Sequence, residues 1–308
     1  VEIRATLTVF QPYALEVDPL QLFLEQLLNG LAIGAIYGLT TLGLALVYGI
    51  LRILHVAHAG VYAVGAYVGL FAAQWTGSLL MGVLLAGAVS SLLGVAIERL
   101  VYFPLLKYPP YVPLIGSIAV FISLEELIRL VAGPEIRSFP AEIPLPALKL
   151  GVVTVSPPLL AVYLTTGLVL LSLWFVTTRT EFGLAMRAAS QDMEVASSLG
   201  VNSHRVVSLT FVIGSFTAAL AGVLVGVYYN QVYPSMGAVP AYKTLALIVV
   251  GGMGSVPGAV MASLLLGVAE TLLIGYANVP LPRDALAFIA MILVLLVRPK
   301  GLFARRSR

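Results

Sequence analysis

Apolar residues in this chain run in blocks, most about twenty residues long, the length an α-helix needs to cross the hydrocarbon core of a bilayer. The blocks are Leu22–Leu51, Val61–Ala73, Ser78–Ile97, Val112–Ala132, Pro158–Thr178, Val206–Tyr229, Thr244–Leu273 and Asp284–Val297. A transmembrane β-barrel would instead show alternating segments of about ten residues. The pattern predicts an all-α polytopic membrane protein with about eight transmembrane segments plus broken or re-entrant half-helices. Two blocks, Leu22–Leu51 and Thr244–Leu273, exceed one crossing. The first is followed by Arg52-Ile-Leu-His-Val-Ala-His-Ala-Gly60 and a short apolar piece. The second is interrupted by Gly251-Gly-Met-Gly-Ser-Val-Pro-Gly258. Gly30, Gly34 and Gly38 fall four apart, a seam of small residues that lets another helix approach closely.

The longest polar interruption in the second half is Arg179–Arg205. Its interior keeps helical spacing: Met186, Ala189, Met193, Ala196 and Gly200 share one face. Gly200 reads as a helix stop and Ser203 as the cap of the next helix. This predicts a short helix outside the membrane, between two that cross it, with little core of its own and a surface for a partner protein to grip. Glu98–Pro110 reads as a polar, kinked loop and Gly133–Pro157 as a proline-rich one. Residues 1–20 read as an extension, 21–302 as the transmembrane domain and 303–308 as a basic tail.

Composition agrees with the pattern. Of 308 residues, 60% are hydrophobic and 10% charged, with mean hydropathy +1.02; soluble domains carry about 25% charged residues. The 29 glycines suit close helix packing. With no cysteine there is no disulfide, thiolate metal site or thiol nucleophile. The net charge of +3 comes largely from Arg298, Lys300, Arg305, Arg306 and Arg308 near the C-terminus, so it speaks to orientation rather than to nucleic acid. Positive-inside logic places that tail and Arg179–Arg205 in the cytoplasm. Both sit inside only if Thr244–Leu273 turns back on itself at Gly251–Gly258. The same parity puts Gly133–Pro157 and the N-terminus outside, with Arg52–Gly60 on or near the inside.

Broken helices in both halves point to a transport site, because helix ends at membrane depth offer N–H groups to a carboxylate and C=O groups to an ammonium. Tyr48, His55, His58 and Gly60 from the first break are candidates to line the path, as are Gly251, Gly252, Gly254 and Ser255 from the second. Glu270, read as a lone acid, is a candidate for the outer mouth. His55 and His58 are spaced to face one metal, but no third ligand is evident, so no metal site and no cofactor are expected. Glu125, Glu126 and Arg129 are spaced to pair on one helix. No P-loop and no nucleophile–base arrangement is present, so an enzyme is not expected, and ATP-driven transport would need ATPase activity from another chain.

Six segments in order carry a resemblance: FLEQLLNGLAIGAIYGLTTLGLALVYGI, HVAHAGVYAVGAY, AIERLVYFPL, AMRAASQDMEVASSLGVNSHRVVSLTFVIG, VVGGMGSVPGAVMASLLLGVAE and LVLLVRPKGLF. Together they resemble the LivH-type permease of bacterial and archaeal ABC importers for branched-chain amino acids. The loop that docks on the ATPase in ABC importers carries Glu-Ala-Ala, three residues, then Gly. Here Glu194-Val195-Ala196 precedes Gly200 by the same spacing, with Val195 in place of Ala and no downstream Ile-x-Leu-Pro. The resemblance implies a plasma (inner) membrane permease for branched-chain or other hydrophobic amino acids. It also implies a second, LivM-type permease, two ATP-binding subunits and an extracytoplasmic amino-acid-binding protein as partners. A permease for urea or short amides is the alternative within the family, and an ion-coupled secondary transporter the alternative outside it. The secondary transporter expects carboxylates near the midplane and no docking loop.

Overall fold

In lipid, helices gain nothing from burying apolar surface against one another, so the ones at the centre must earn their contacts through close approach. The computed structural model, which describes residues 19–139, 143, 145–151, 153–276, 282–299 and 301–303, is built that way. Helix α1 (Pro19–Leu51) is the axis, and its far half is buried almost continuously from Gly30 to Val47. It packs most extensively on α11 (Val256–Thr271). A β-carbon on Gly34 would sit 2.8 Å from the Leu264 Cα, and one on Gly30 would sit 2.8 Å from the Val268 Cα. From the other side, one on Gly267 would collide with the Gly34 backbone. The predicted seam at Gly30 and Gly34 is therefore a backbone-to-backbone contact, whereas Gly38 has only ordinary contacts with Val260 and Ser263.

Helix α2 (Ala57–Thr76) packs on α9 (Ser203–Tyr229) by the same means: Gly65 lies against Ala219, and Gly222 against the Tyr62 carbonyl. Helix α3 (Leu79–Ile97) completes this layer. It continues through a π-helical turn at Glu98–Tyr102 into α4 (Phe103–Leu105). The expected polar loop is thus helical over its first half. Glu98 escapes solvent there because it is buried against α9 and accepts a hydrogen bond from the Ser208 hydroxyl at 2.9 Å.

Helix α5 (Tyr111–Ala132) carries the predicted charge trio, with Arg129 bonded to Glu126 at 2.5 Å and to Glu125 at 3.1 Å. A hairpin of β1 (Leu148–Leu150) and β2 (Val153–Val155) precedes α6 (Pro157–Arg179). Two short helices follow, α7 (Glu181–Gln191) and α8 (Met193–Ser198). After α9, a 3-10 turn (Pro234–Gly237) leads into α10 (Ala238–Gly251), and α12 (Arg283–Val297) closes the described chain apart from residues 298, 299 and 301–303. Among the described residues, five helices are long and apolar enough to cross a membrane: Pro19–Leu51, Leu79–Leu105, Pro157–Arg179, Ser203–Tyr229 and Val256–Gly275. Val61–Ala73 proves to be part of a full 20-residue helix rather than a short piece. Thr244–Leu273 is two helices, α10 and α11, meeting at a tight turn.

Residues 1–18 and the basic residues Lys300, Arg305, Arg306 and Arg308 lie outside the described residues. The polar connections sort to two ends. Arg52, Ser190, Gly254 and Met253 meet at one of them. The other holds the bridge between Arg137 and Val232 and the bond from Phe139 N–H to Asn230 Oδ1.

Placing a valine at Gly34 should force α1 and α11 apart and destabilise the purified protein by about 1–3 kcal/mol or more. Gly49→Ala is the control, since nothing lies within 4 Å of a β-carbon there. Thermal unfolding in detergent should separate the two.

Candidate functional site

The polar stretch Arg179–Arg205 folds as two helices rather than the single one expected. Thr180 caps α7 by accepting from Gly183 N–H at 3.2 Å. The chain then leaves helical geometry at Asp192, whose carboxylate accepts from Glu194 N–H at 3.0 Å and Val195 N–H at 2.9 Å to start α8. Short polar side chains compete for backbone donors and so end one helix while opening the next. Gly200, at φ +91°, ends α8 as anticipated. The following cap is Asn202, accepting from Arg205 N–H at 3.0 Å, and not Ser203, which sits one residue inside α9.

Met186, Ala189 and Ala196 are buried against the body, Met193 is half-buried, and Glu194 and Gly200 face solvent. Leu184, Val195 and Leu199 are also exposed, Leu199 at 80%. These three were absent from the candidate set, because periodicity marks a core-facing stripe and gives no reason to pick apolar residues off it.

The first break runs from Arg52 to Val56. Arg52 ends α1 in the left-handed conformation (φ 55°), its N–H bonded to the Tyr48 carbonyl at 2.9 Å. For a residue with a β-carbon this conformation costs about 1–2 kcal/mol. Three residues later the chain is deep in the core, with His55 and His58 fully buried. The His58 Nε2–H donates to the Thr40 carbonyl at 3.0 Å. The Tyr102 hydroxyl donates to Ser117 Oγ at 2.7 Å and sits 2.6 Å from His55 Nδ1, which is therefore the donor of that pair. Ser117 also accepts from Ala57 N–H at 2.8 Å. Val56 has no capping side chain of its own, so α5 caps α2 from across the bundle. Gly60 packs against Leu124 of the same helix.

The second break is the turn Gly252–Ser255. Gly252 (φ 104°) and Gly254 (φ 88°) adopt backbone angles that suit glycine, and Ser255 Oγ accepts from Gly258 N–H at 3.2 Å to cap α11. Gly251 lies against the Gly258 backbone, and Gly252 against Gly301. Leu302 N–H fills the exposed carbonyl of Val250 at 2.9 Å. Tyr48 reaches this turn, its hydroxyl 3.8 Å from Met253 Sδ. Arg52 reaches both neighbours. Its Nη2 donates to the Ser190 carbonyl of α7 at 3.3 Å, and its Nη1 lies 3.7 Å from the position of a β-carbon on Gly254.

Glu270 is not the lone acid it reads as in sequence. Lys243 Nζ donates to the Tyr37 hydroxyl at 3.0 Å and forms ion pairs with Glu270 Oε1 at 2.9 Å and Asp284 Oδ1 at 3.0 Å. The Tyr37 hydroxyl donates to Glu270 Oε2 at 3.0 Å, and the Tyr242 hydroxyl to Asp284 Oδ2 at 2.7 Å. Lys243 and Glu270 are 2% and 1% exposed. A buried charge persists only when paired, and this cluster ties α1, α10, α11 and α12 together. Lys243 and Asp284 flank their apolar blocks in sequence, where they pass for block ends.

The path candidates thus fall in three places: the histidines in the core, the 251–255 turn beside Tyr48, and Glu270 in the ionic cluster. Among the described residues no group of three or more His, Cys, Asp or Glu is arranged to hold a metal.

A family model described as "Branched-chain amino acid transport system / permease component" matches residues 26–297. The high-affinity branched-chain amino acid permease protein LivH of Escherichia coli K12 is 35% identical over 302 residues, covering 92% of this chain and 96% of the relative. BraD of Pseudomonas aeruginosa, which bears the same description, is 35% identical over 298 residues with the same coverage. The xylose permease protein XylH of Escherichia coli is 32% identical, but over 105 residues, 32% of this chain and 27% of the relative. No solved structure matches the chain.

Replacing Lys243 with methionine leaves Glu270 buried without its partner and should cost about 3–5 kcal/mol. The double change Lys243→Met with Glu270→Met should recover a large part of that loss in the same thermal unfolding measurement.

Proposed function

The chain belongs to the permease component family of branched-chain amino acid transport systems, and we propose that it is the membrane subunit of an ABC importer that passes branched-chain amino acids across the inner membrane. The substrate class follows the names that LivH and BraD carry. As a transport permease with several membrane-crossing helices, the chain calls for energy from partner components, and we assign the coupling to α7 and α8.

One observation carries that assignment. Met186, Ala189 and Ala196 are buried and seat the two helices on the membrane domain, while Leu184 of α7 and Glu194, Val195 and Leu199 in and after α8 stand exposed. An exposed apolar set with an acidic neighbour suits a protein partner better than water. The partner we infer is an ATP-binding subunit, one of two, and the end that carries α7 and α8 then faces the cytoplasm, together with Arg298. A related permease of the LivM type supplies the two-fold mate, and a soluble binding protein delivers amino acid at the hairpin end. The breaks at Arg52–Val56 and Gly252–Ser255 form the movable part of the path. Tyr48, Gly251, Gly252, Gly254 and Ser255 take its cytoplasmic end, His55, His58 and Gly60 its interior, and Glu270 a level beyond them. The carrier moves by alternating access as the ATPases close, with α7 and α8 transmitting the closure.

Glu194→Lys or Val195→Asp should strip the ATPases from the purified complex and abolish uptake of labelled leucine, while leaving the permease in the membrane at normal yield. Retention of the ATPases by both variants, with normal uptake, removes α7 and α8 from the coupling role.

A further inference from the structure

We propose that Arg52 is the positioning residue through which movement of α7 and α8 reaches both helix breaks. The proposal rests on the coupling role assigned to those helices. Three observations point to Arg52, and each is independent of the others.

The first is conformational. Arg52 occupies the left-handed position that follows a helix end, with the N–H to carbonyl bond of Arg52 to Tyr48 closing the motif. That position ordinarily selects glycine or asparagine. The second break shows the contrast, because its two left-handed positions are filled by Gly252 and Gly254. At the first break the chain tolerates a strained backbone to place an arginine there. Strain of this kind persists where the surrounding structure holds it and points to a use for the side chain.

The second observation is the reach of the guanidinium. Its Nη2 donates to the Ser190 carbonyl in the last turn of α7 at 3.3 Å. Its Nη1 lies within van der Waals range of the position a β-carbon would take on Gly254, in the turn between α10 and α11. A planar guanidinium presents Nη2 to one element while Nη1 lies beside the other, an arrangement that a lysine ammonium on a flexible stem does not reproduce. One side chain at the end of α1 is therefore bonded to α7 and lies beside the second break.

The third observation is its position in the chain. Arg52 is itself the first residue of the first break, three residues before His55, which is bonded to Tyr102 in the core. A displacement of α7 pulls on the Arg52 side chain, and the backbone that follows leads directly into the buried His55–Tyr102–Ser117 string that caps α2. The parallel contact between Tyr48 and Met253 ties the same end of α1 to the same turn. Closure of the ATPases is thus delivered to both breaks at once rather than to one after the other.

The test uses the whole importer, with ATPases, mate permease and binding protein, reconstituted in vesicles. Arg52→Gly relieves the backbone and removes the guanidinium. It should unfold at a temperature equal to or above that of the parent and retain its ATPases. It should hydrolyse ATP at the basal rate, yet import fewer molecules of labelled leucine per ATP by about threefold or more. Arg52→Lys keeps the charge and the strained backbone, and should recover only part of the import per ATP. Unchanged import per ATP in Arg52→Gly overturns the proposal. So does a fall in import that tracks a fall in thermal stability, with Arg52→Lys restoring both, because a structural cap behaves that way. If Glu194→Lys and Val195→Asp both leave the ATPases bound with normal uptake, α7 and α8 are not the docking element, and the proposal falls for want of an input. Attached ATPases in Arg52→Gly, lost from Val195→Asp, with unchanged import per ATP sink the Arg52 link alone.

Discussion

The contact on which this molecule depends is backbone against backbone, at Gly30 and Gly34 of α1 with Gly267, Leu264 and Val268 of α11. In a lipid solvent the helices have no water to escape from one another, so dispersion at short range has to supply the attraction. That requirement explains why α1 lies at the centre, and why α2 and α9 repeat the device at Gly65 and Gly222. Helix α3 uses it on its inner face, at Gly82 against the Gly69 carbonyl and Gly94 against Ser215, and the outer faces differ. Leu80, Leu84 and Leu92 of α3 and Leu164, Leu168 and Leu171 of α6 point outward, as surfaces that meet acyl chains or a second subunit do.

Close packing at the centre fixes what the breaks must satisfy. Each interruption of a helix frees N–H and C=O groups that need partners wherever packing keeps water away. The first break is supplied by a side chain from another helix, Ser117, held in turn by Tyr102 and His55. The second is supplied locally by Ser255 and by the returning chain at Leu302. The two breaks resemble each other as sequence patterns, yet they solve the same accounting problem by different means. The buried histidines are part of the first solution. Their polar atoms give the break a hydrogen-bonded frame whether or not the solute passes beside them.

The elements that sequence made legible are those set by local chemistry or long periodicity: the apolar blocks, the glycine seam, the Gly200 stop, the turn at 252–255 and the Arg129 pairs. What it hid depends on partners distant in the chain. Glu98 looks like a loop residue until Ser208, 110 positions away, accounts for its burial. Glu270 looks alone until Lys243 and Asp284 arrive from two other helices. The helix break at Asp192 escapes the sequence for the opposite reason: the capping signal is present, but the three- and four-residue spacing of small side chains runs straight through it. Leu184, Val195 and Leu199 escape it because amphipathic periodicity marks the face that packs inward. A docking surface is the other face.

These contacts also join the central helices to one another, since Gly43 of α1 lies against the Gly214 carbonyl of α9. Backbone packing clamps α1 to α11, the Lys243 cluster clamps α10, α11 and α12 to Tyr37 of α1, and the glycine contacts clamp α2 to α9. Packed interiors of this kind move as units rather than deform continuously. The two breaks lie within this packed set, with Gly252 against Gly301, Leu302 N–H bonded to the Val250 carbonyl and His55 bonded to Tyr102, so each needs a backbone conformation that fits a confined space. Gly252 and Gly254 meet that need through freedom from a β-carbon. Arg52 carries a β-carbon at φ 55°, so the two breaks meet that need with different backbone chemistry.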